Sequence, residues 1–283
     1  MNSSSLILVV LYNKDVDKSE SLKSLLNIKN ISADILIFNN GPKRLEQNSS
    51  FIKGLEEKYK KVYVAEDVQN RPLSVLYNGV LTEYKRYKTF YIFDDDTFIP
   101  NDFFTKTIDK IESNDLVIPQ IISDTEHSVC YPLINGVPYD RNTGIKSTDT
   151  VYSIGSGLVI SLTLIEKFER SGIDLFDNRY ALYGVDFSLF RRIRSLMQAG
   201  MKINIAVAGS LNHSLAKRKK NKESWRKQEI TIDQVLTSKF YTKGYLGFMW
   251  VLIKKLLKFD FANFYLACKI YKLGCHPRSN KYL

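Results

Sequence analysis

Through its first hundred residues the chain repeats one pattern: a short run rich in Val, Ile, Leu and Phe, a polar turn, then a stretch with helix-like spacing. "LILVVLYN" leads into "KSESLKSLLNI", where Leu22, Leu25, Leu26 and Ile28 recur at near-helical intervals. "ADILIFNNGPK" and "KVYVAED" read as the next two strands, and "PLSVLYNGVLTEYKR" as a helix opened by its proline. "KTFYIFDDD" is a fourth strand. Strands that alternate with helices predict a parallel sheet covered by helices. In such a sheet ligands bind beyond the carboxyl ends of the strands. The triplet Asp94, Asp95 and Asp96 stands at one of those ends.

The second half is more mixed. "DLVIPQII" predicts a strand, "INGVPYDRNTG" a hairpin, and "YSIGSGLVISLTLIEKF" a Gly-rich turn leading into a helix. "VDFSLFRRIRSLMQAG" predicts a helix stopped by Gly200, and "KINIAVAGSLNHS" a last strand ending near His213. A basic run, "LAKRKKNKESWRKQ", marks the boundary between a body of residues 1–215 and an extension of residues 216–283.

The net charge of +11 belongs to that extension. Residues 216–283 hold 16 of the 41 Lys/Arg and 4 of the 30 Asp/Glu, leaving 25 and 26 for a near-neutral body. The body has no nucleic-acid-binding motif, so no nucleic-acid partner is expected. Cys130, Cys268 and Cys275 are an odd, scattered set, as suits a reducing compartment. The apolar run "LILVVLY" lacks the flanks of a signal peptide, and "YLGFMWVLI" is half of the ~18 residues that a membrane-spanning helix needs. From Lys217 to Leu273, lysines set among Trp, Phe, Tyr and Leu match a segment lying on an anionic membrane surface. A helical extension packed on the body is the competing expectation.

If the triplet is extended, alternation puts Asp94 and Asp96 on one face and Asp95 on the other. Two carboxylates side by side suit a hard divalent cation, which brings phosphate-bearing substrates with it. An Asp-rich turn capping the next helix is the plainer reading. An EF-hand fails, because Ile99 and Thr105 stand where its Gly and Glu would be. Neither GxGxxG nor a P-loop occurs, so a nucleotide diphosphate would have to be held through metal.

The order "VVLYN", "IFNNG", "NRPLSVLYNG", "YIFDDD", "GSGLVI", "YGVDFSLFRR" and "LNH" resembles the family 2 glycosyltransferases. These are inverting enzymes with a mostly parallel α/β sheet of the GT-A type, and the resemblance spans roughly Leu6 to His213. It implies an Asp-x-Asp metal site for Mn²⁺ or Mg²⁺ at Asp94 and Asp96, completed by His213, and a general base at Asp186. It further implies donor contacts at Tyr12, Asn39, Asn70, Asn78, Asp94 and Asp95, and an acceptor turn at Gly155, Ser156 and Gly157. Two positions depart from the family: Asn39 replaces an aspartate, and Val185-Asp186, with Ser188 following, replaces a more acidic run.

The function expected is a metal-dependent transfer of a hexose from a UDP-sugar, or from dTDP-rhamnose, to a glycan or lipid-linked glycan. The setting expected is surface polysaccharide synthesis on the cytoplasmic face of the plasma membrane. The alternatives are a metal-dependent nucleotidyl or phosphoryl transferase, against which the Gly-free "VVLYNKDVDKSE" counts, and a non-catalytic glycan-binding protein.

Overall fold

The computed structural model describes residues 4–29, 31–46, 49–123, 128–139, 144–213 and 224–283. In chain order the first elements are β1 (Ser5–Leu11), α1 (Glu20–Asn27), β2 (Asp34–Asn39), α2 (Ser50–Lys58), β3 (Val62–Glu66) and α3 (Leu73–Glu83). β4 (Thr89–Asp94), β5 (Thr97–Phe98), α4 (Phe103–Glu112), β6 (Leu116–Ser123) and β7 (Val129–Tyr131) follow. Then come β8 (Leu133–Ile134), β9 (Val137–Pro138), β10 (Val151–Tyr152), β11 (Leu158–Ser161), α5 (Leu162–Arg170), α6 (Val185–Gln198) and β12 (Ile205–His213). Three helices close the chain: α7 (Ser224–Tyr241), α8 (Gly244–Leu257) and α9 (Phe261–Leu273).

The chain divides into two compact units: Met1–Asn70, Leu81–Ile173 and Ile193–Leu215 form the first; Arg71–Val80, Asp174–Arg192 and Ala216–Leu283 form the second. The first is a mixed α/β unit around a nine-stranded sheet of order β3-β2-β1-β4-β11-β6-β12-β5, with β7 beside β6. The β3-β2-β1-β4 run and the β6–β12 pair are parallel. Parallel strands buried on both faces need continuous apolar runs. Leu6 to Leu11 in β1 and Phe90 to Phe93 in β4 supply them, all buried. α4 lays Phe103 and Phe104 on Tyr91 and Phe93, with ring centroids 5.0–6.5 Å apart. Tilted and edge-on pairs of this kind add to the area they bury.

The hairpin predicted in "INGVPYDRNTG" is β8–β9, turned by Asn135 and Gly136 at φ 52° and 85°, as a tight two-residue turn requires. Gly200, at φ 94°, ends α6, with its N–H and that of Met201 bonded to the carbonyls of Met197 and Leu196.

"YSIGSGLVISLTLIEKF" differs from its expectation. Between its Gly-rich turn and α5 lies β11, fully buried and antiparallel to both β4 and β6. A four-residue apolar run has no period of its own, so only its long-range pairing distinguishes it from the start of a helix.

In the second unit α7, α8 and α9 pack on one another. Val235 and Leu236 of α7, Phe248, Val251 and Leu252 of α8, and Ala267 and Ile270 of α9 are buried. No helix of the described residues is long and apolar enough to cross a membrane.

Candidate active site

β4 ends at Asp94, and Asp95 and Asp96 form a turn into β5. The alternation rule therefore does not run through the triplet, because a turn breaks the pleat that it depends on. The helix that follows is capped from outside the triplet: α4 begins at Phe103, with Asp102 at its N-cap position and no side-chain cap bond. All three aspartates are half-buried.

Hydroxyls hold this turn in place. Ser156 Oγ accepts from Asp94 N at 3.1 Å and lies 2.6 Å from Thr97 Oγ1. Ser21 Oγ bonds the Asp94 carbonyl, lies 3.0 Å from the Thr97 carbonyl and accepts from Thr97 N at 3.2 Å. Ser19, the N-cap of α1, donates to the Asp95 carbonyl at 3.1 Å, and that carbonyl also accepts from Glu20 N at 2.9 Å. Ser24 Oγ accepts from Ile99 N at 3.1 Å.

The carboxylate of Asp95 is engaged by the loop after β1. It accepts from Tyr12 N at 3.1 Å and pairs with the ammonium of Lys14. Lys14 escaped the sequence reading because a single lysine in "YNKD" has no pattern around it. Asn13 and Asn70 sit in the left-handed region, at φ 51° and 54°, which asparagine tolerates better than most residues. The Tyr12 ring is 50% exposed, and its hydroxyl meets Asn70 Nδ2 at 3.5 Å. Tyr12, Lys14, Asn70 and Asp95 thus come together at the carboxyl ends of the parallel strands.

Asn39 ends β2 and is buried. Its carboxamide accepts from Gly41 N and donates to the Lys43 carbonyl and to Glu66 Oε2, at 2.7–3.1 Å. The Leu45 N–H and the Asn39 amide hold the Glu66 carboxyl below the usual carboxylate range. An aspartate at 39 would set a second carboxylate against Glu66.

Gly155, Ser156 and Gly157 are all buried. Ser156 serves the carboxylate turn, and Gly157, at φ 87°, donates to the Ile92 carbonyl at 2.6 Å. A Cβ on Gly157 would come 2.3 Å from Leu211 Cδ1 and 2.6 Å from Pro119 Cγ. Gly157→Ala is expected to cost about 3 kcal/mol or more from strain and overpacking, read as a lower urea midpoint. An unchanged midpoint would show that the turn relaxes freely.

His213 closes β12, and its backbone pairs with Thr97, the residue after Asp96. Its side chain lies outside the described residues, as do residues 217–223 of the basic run. Among the described residues no group of three His, Cys, Asp or Glu stands ready to hold a metal.

In the second unit Asn78 is committed to the loop after residue 174. It accepts from Phe176 N at 3.0 Å and donates to the Phe176 carbonyl and to Asn178 Oδ1, both at 2.8 Å. Asp186 is the second residue of α6, after Gly184 at φ 85°, and is half-buried. Ser188 is buried and accepts from Asp177 N at 3.2 Å, a place for a small hydroxyl.

Asp177, which the sequence did not single out, gathers two arginines. Arg179 Nη2 and Arg192 Nη2 pair with its carboxylate at 2.6 and 3.1 Å, and Tyr241 donates to it. Burial pushes its carboxyl up, but the hydrogen bond from Arg179, the charge of Arg192 and the Tyr241 hydroxyl outweigh it and hold the group below the usual range.

No protein-family model and no curated protein matches the chain. Solved structures are similar in fold. The chain superposes on Staphylococcus aureus TarS 1-349 with a TM-score of 0.58 at 9% identity, covering 98% of this chain and 82% of that one. The same fragment in complex with UDP-GlcNAc gives 0.57 at 11%. GalNAc-T7 with UDP, GalNAc and Mn²⁺ gives 0.55 at 14%, covering 75% of this chain and 44% of that one. The chain spans 44% of the longer TarS chain. The fold is thus of the GT-A glycosyltransferase type.

Proposed function

We propose that the chain is a metal-dependent, inverting glycosyltransferase that moves a hexose from a nucleotide diphosphate sugar to a hydroxyl of a glycan acceptor. The observation that carries this reading is the clamped carboxylate turn at the end of β4, within a fold shared with proteins solved with UDP and UDP-GlcNAc.

Asp94 and Asp96 would supply oxygen ligands of the kind that suits Mg²⁺ or Mn²⁺, and the resemblance adds His213, whose backbone pairs with Thr97. When bound, such a cation would stabilise the charge that builds on a departing diphosphate. Ser156, Ser21 and Ser19 keep the carboxylates where the donor meets them. Tyr12 offers an exposed aromatic face for a nucleobase, with Asn70 beside its hydroxyl. Asn39 and Asn78 are donor contacts in this reading, and their carboxamides also hold the 39–45 turn and the 176–178 loop. Asp186 accepts the proton of the attacking hydroxyl, so no covalent nucleophile is needed. UDP is the favoured carrier, with dTDP-rhamnose as the variant to compare. The acceptor is a glycan or lipid-linked glycan in surface polysaccharide synthesis, on the cytoplasmic side of the membrane.

Thermal shift with nucleoside diphosphates tests the reading. UDP or dTDP should raise the melting temperature by about 5 °C when Mn²⁺ is present, and by little without it. Asp96→Ala should remove the metal-dependent part. A shift that ignores both the metal and the substitution would sink the proposal.

A further inference from the structure

α8 and α9 each carry two apolar faces. One is buried in the three-helix packing described above. On the other, Leu246, Trp250, Ile253 and Leu257 of α8 are exposed at intervals of three and four residues, as are Phe261 and Tyr265 of α9. Trp250 is 57% exposed, Leu257 74%, Tyr265 74%, and Phe259 in the connection between the helices 81%. Phe259 also has φ 51°, a conformation that a bulky side chain adopts only at a cost, and no described residue of the unit repays it by burying the ring. Its ring stands 6.4 Å from that of Phe261. Exposed apolar residues on this scale mark an interaction surface.

The charge around them selects the partner. From Thr242 to Leu283 the chain has seven lysines and one arginine against one acid, Asp260. Asp260 is occupied as the N-cap of α9, accepting from Asn263 N and Nδ2. Lys254 Nζ lies 5.1 Å from the centre of the Trp250 ring, so cation and apolar ring share one site. A second copy of this surface would bring like charges together, whereas an anionic lipid surface neutralises them. α8, with 14 residues, is about 21 Å long, short of the ~30 Å of a bilayer core, so it suits the interface rather than a crossing.

We propose that the α8–α9 hairpin is an interfacial docking element for an anionic lipid surface, inserting Trp250, Leu257, Phe259 and Phe261 while its lysines stay at the headgroups. This goes beyond the glycosyl-transfer reading and does not rest on it.

The full-length chain carrying Trp225→Phe, which leaves Trp250 as its one tryptophan, is mixed with vesicles of phosphatidylcholine and phosphatidylglycerol and with vesicles of phosphatidylcholine alone. Sedimentation should show at least about tenfold stronger binding to the anionic vesicles, reduced by salt. Trp250 emission should shift to the blue and be quenched by lipids brominated on their acyl chains, a readout that needs no substitution in the hairpin. Phe259→Ser with Phe261→Ser should weaken vesicle binding about tenfold with an unchanged melting temperature, since both rings are exposed. Equal binding to both vesicle types, unquenched Trp250, or full binding by the double variant would overturn the proposal. So would a concentration-dependent dimer that buries Trp250 and shows no affinity for vesicles.

Discussion

An Asp186→Asn variant is expected to bind the donor as the native chain does and to release nucleoside diphosphate about 10²- to 10⁴-fold more slowly. The carboxamide keeps the size and shape of the side chain but cannot take the proton of an attacking hydroxyl. The native carboxylate sits in the first turn of α6, where the helix dipole favours negative charge. That dipole also supplies the competing explanation, a carboxylate that only stabilises the start of a helix. The two separate cleanly. A helix-start role predicts a loss of about 1 kcal/mol in stability with turnover intact. A base role predicts the loss of turnover with donor-dependent thermal shift retained. Native turnover in Asp186→Asn would remove the base from the mechanism.

Asp177→Ala should produce the largest loss of stability of any single substitution discussed, about 3–5 kcal/mol. Its carboxylate is 1% exposed, and removing it leaves the partly buried guanidinium groups of Arg179 and Arg192 facing each other without their counter-ion. The pH dependence follows from the same pairing. Because the folded state holds this carboxyl below the usual range, its contribution is present above the unfolded value of about 3.9 and lost as the pH falls through the lower, folded value. Melting temperature followed from pH 7 to 3 should therefore fall more steeply below about pH 4 in the native chain than in Asp177→Asn. Parallel profiles would show that the carboxylate is not what the two arginines depend on.

The strands of the first hundred residues were legible because each is a compact apolar run bounded by turn residues, as β1 and β4 illustrate. β11 was not, because only its pairing with β4 and β6 makes it a strand. The triplet was legible as a site but not in its geometry. Alternation presumes an extended chain, and the turn at Asp95 and Asp96 comes from hydroxyls at positions 19, 21 and 156 that no local pattern announces. Asn39 and Asn78 show the converse: both lie in the motifs that carry the resemblance, and both spend their carboxamides on backbone and neighbouring side chains. Lys14 and Asp177 have roles set by partners distant in sequence, 81 residues away for Lys14 and 64 for the Asp177–Tyr241 bond. A reading built on spacing along the chain has no access to such pairs.

The hydroxyl clamp around the carboxylate turn bears on the order in which the molecule assembles. Its bonds join residues 59 to 76 positions apart, from Ser156 to Thr97 and from Ser19 to Asp95. Closing loops of that size is slow and brings little reward until the central strands are already side by side. During refolding, helical signal should therefore return ahead of nucleotide binding, and a chain arrested with its helices formed would be structured yet inert.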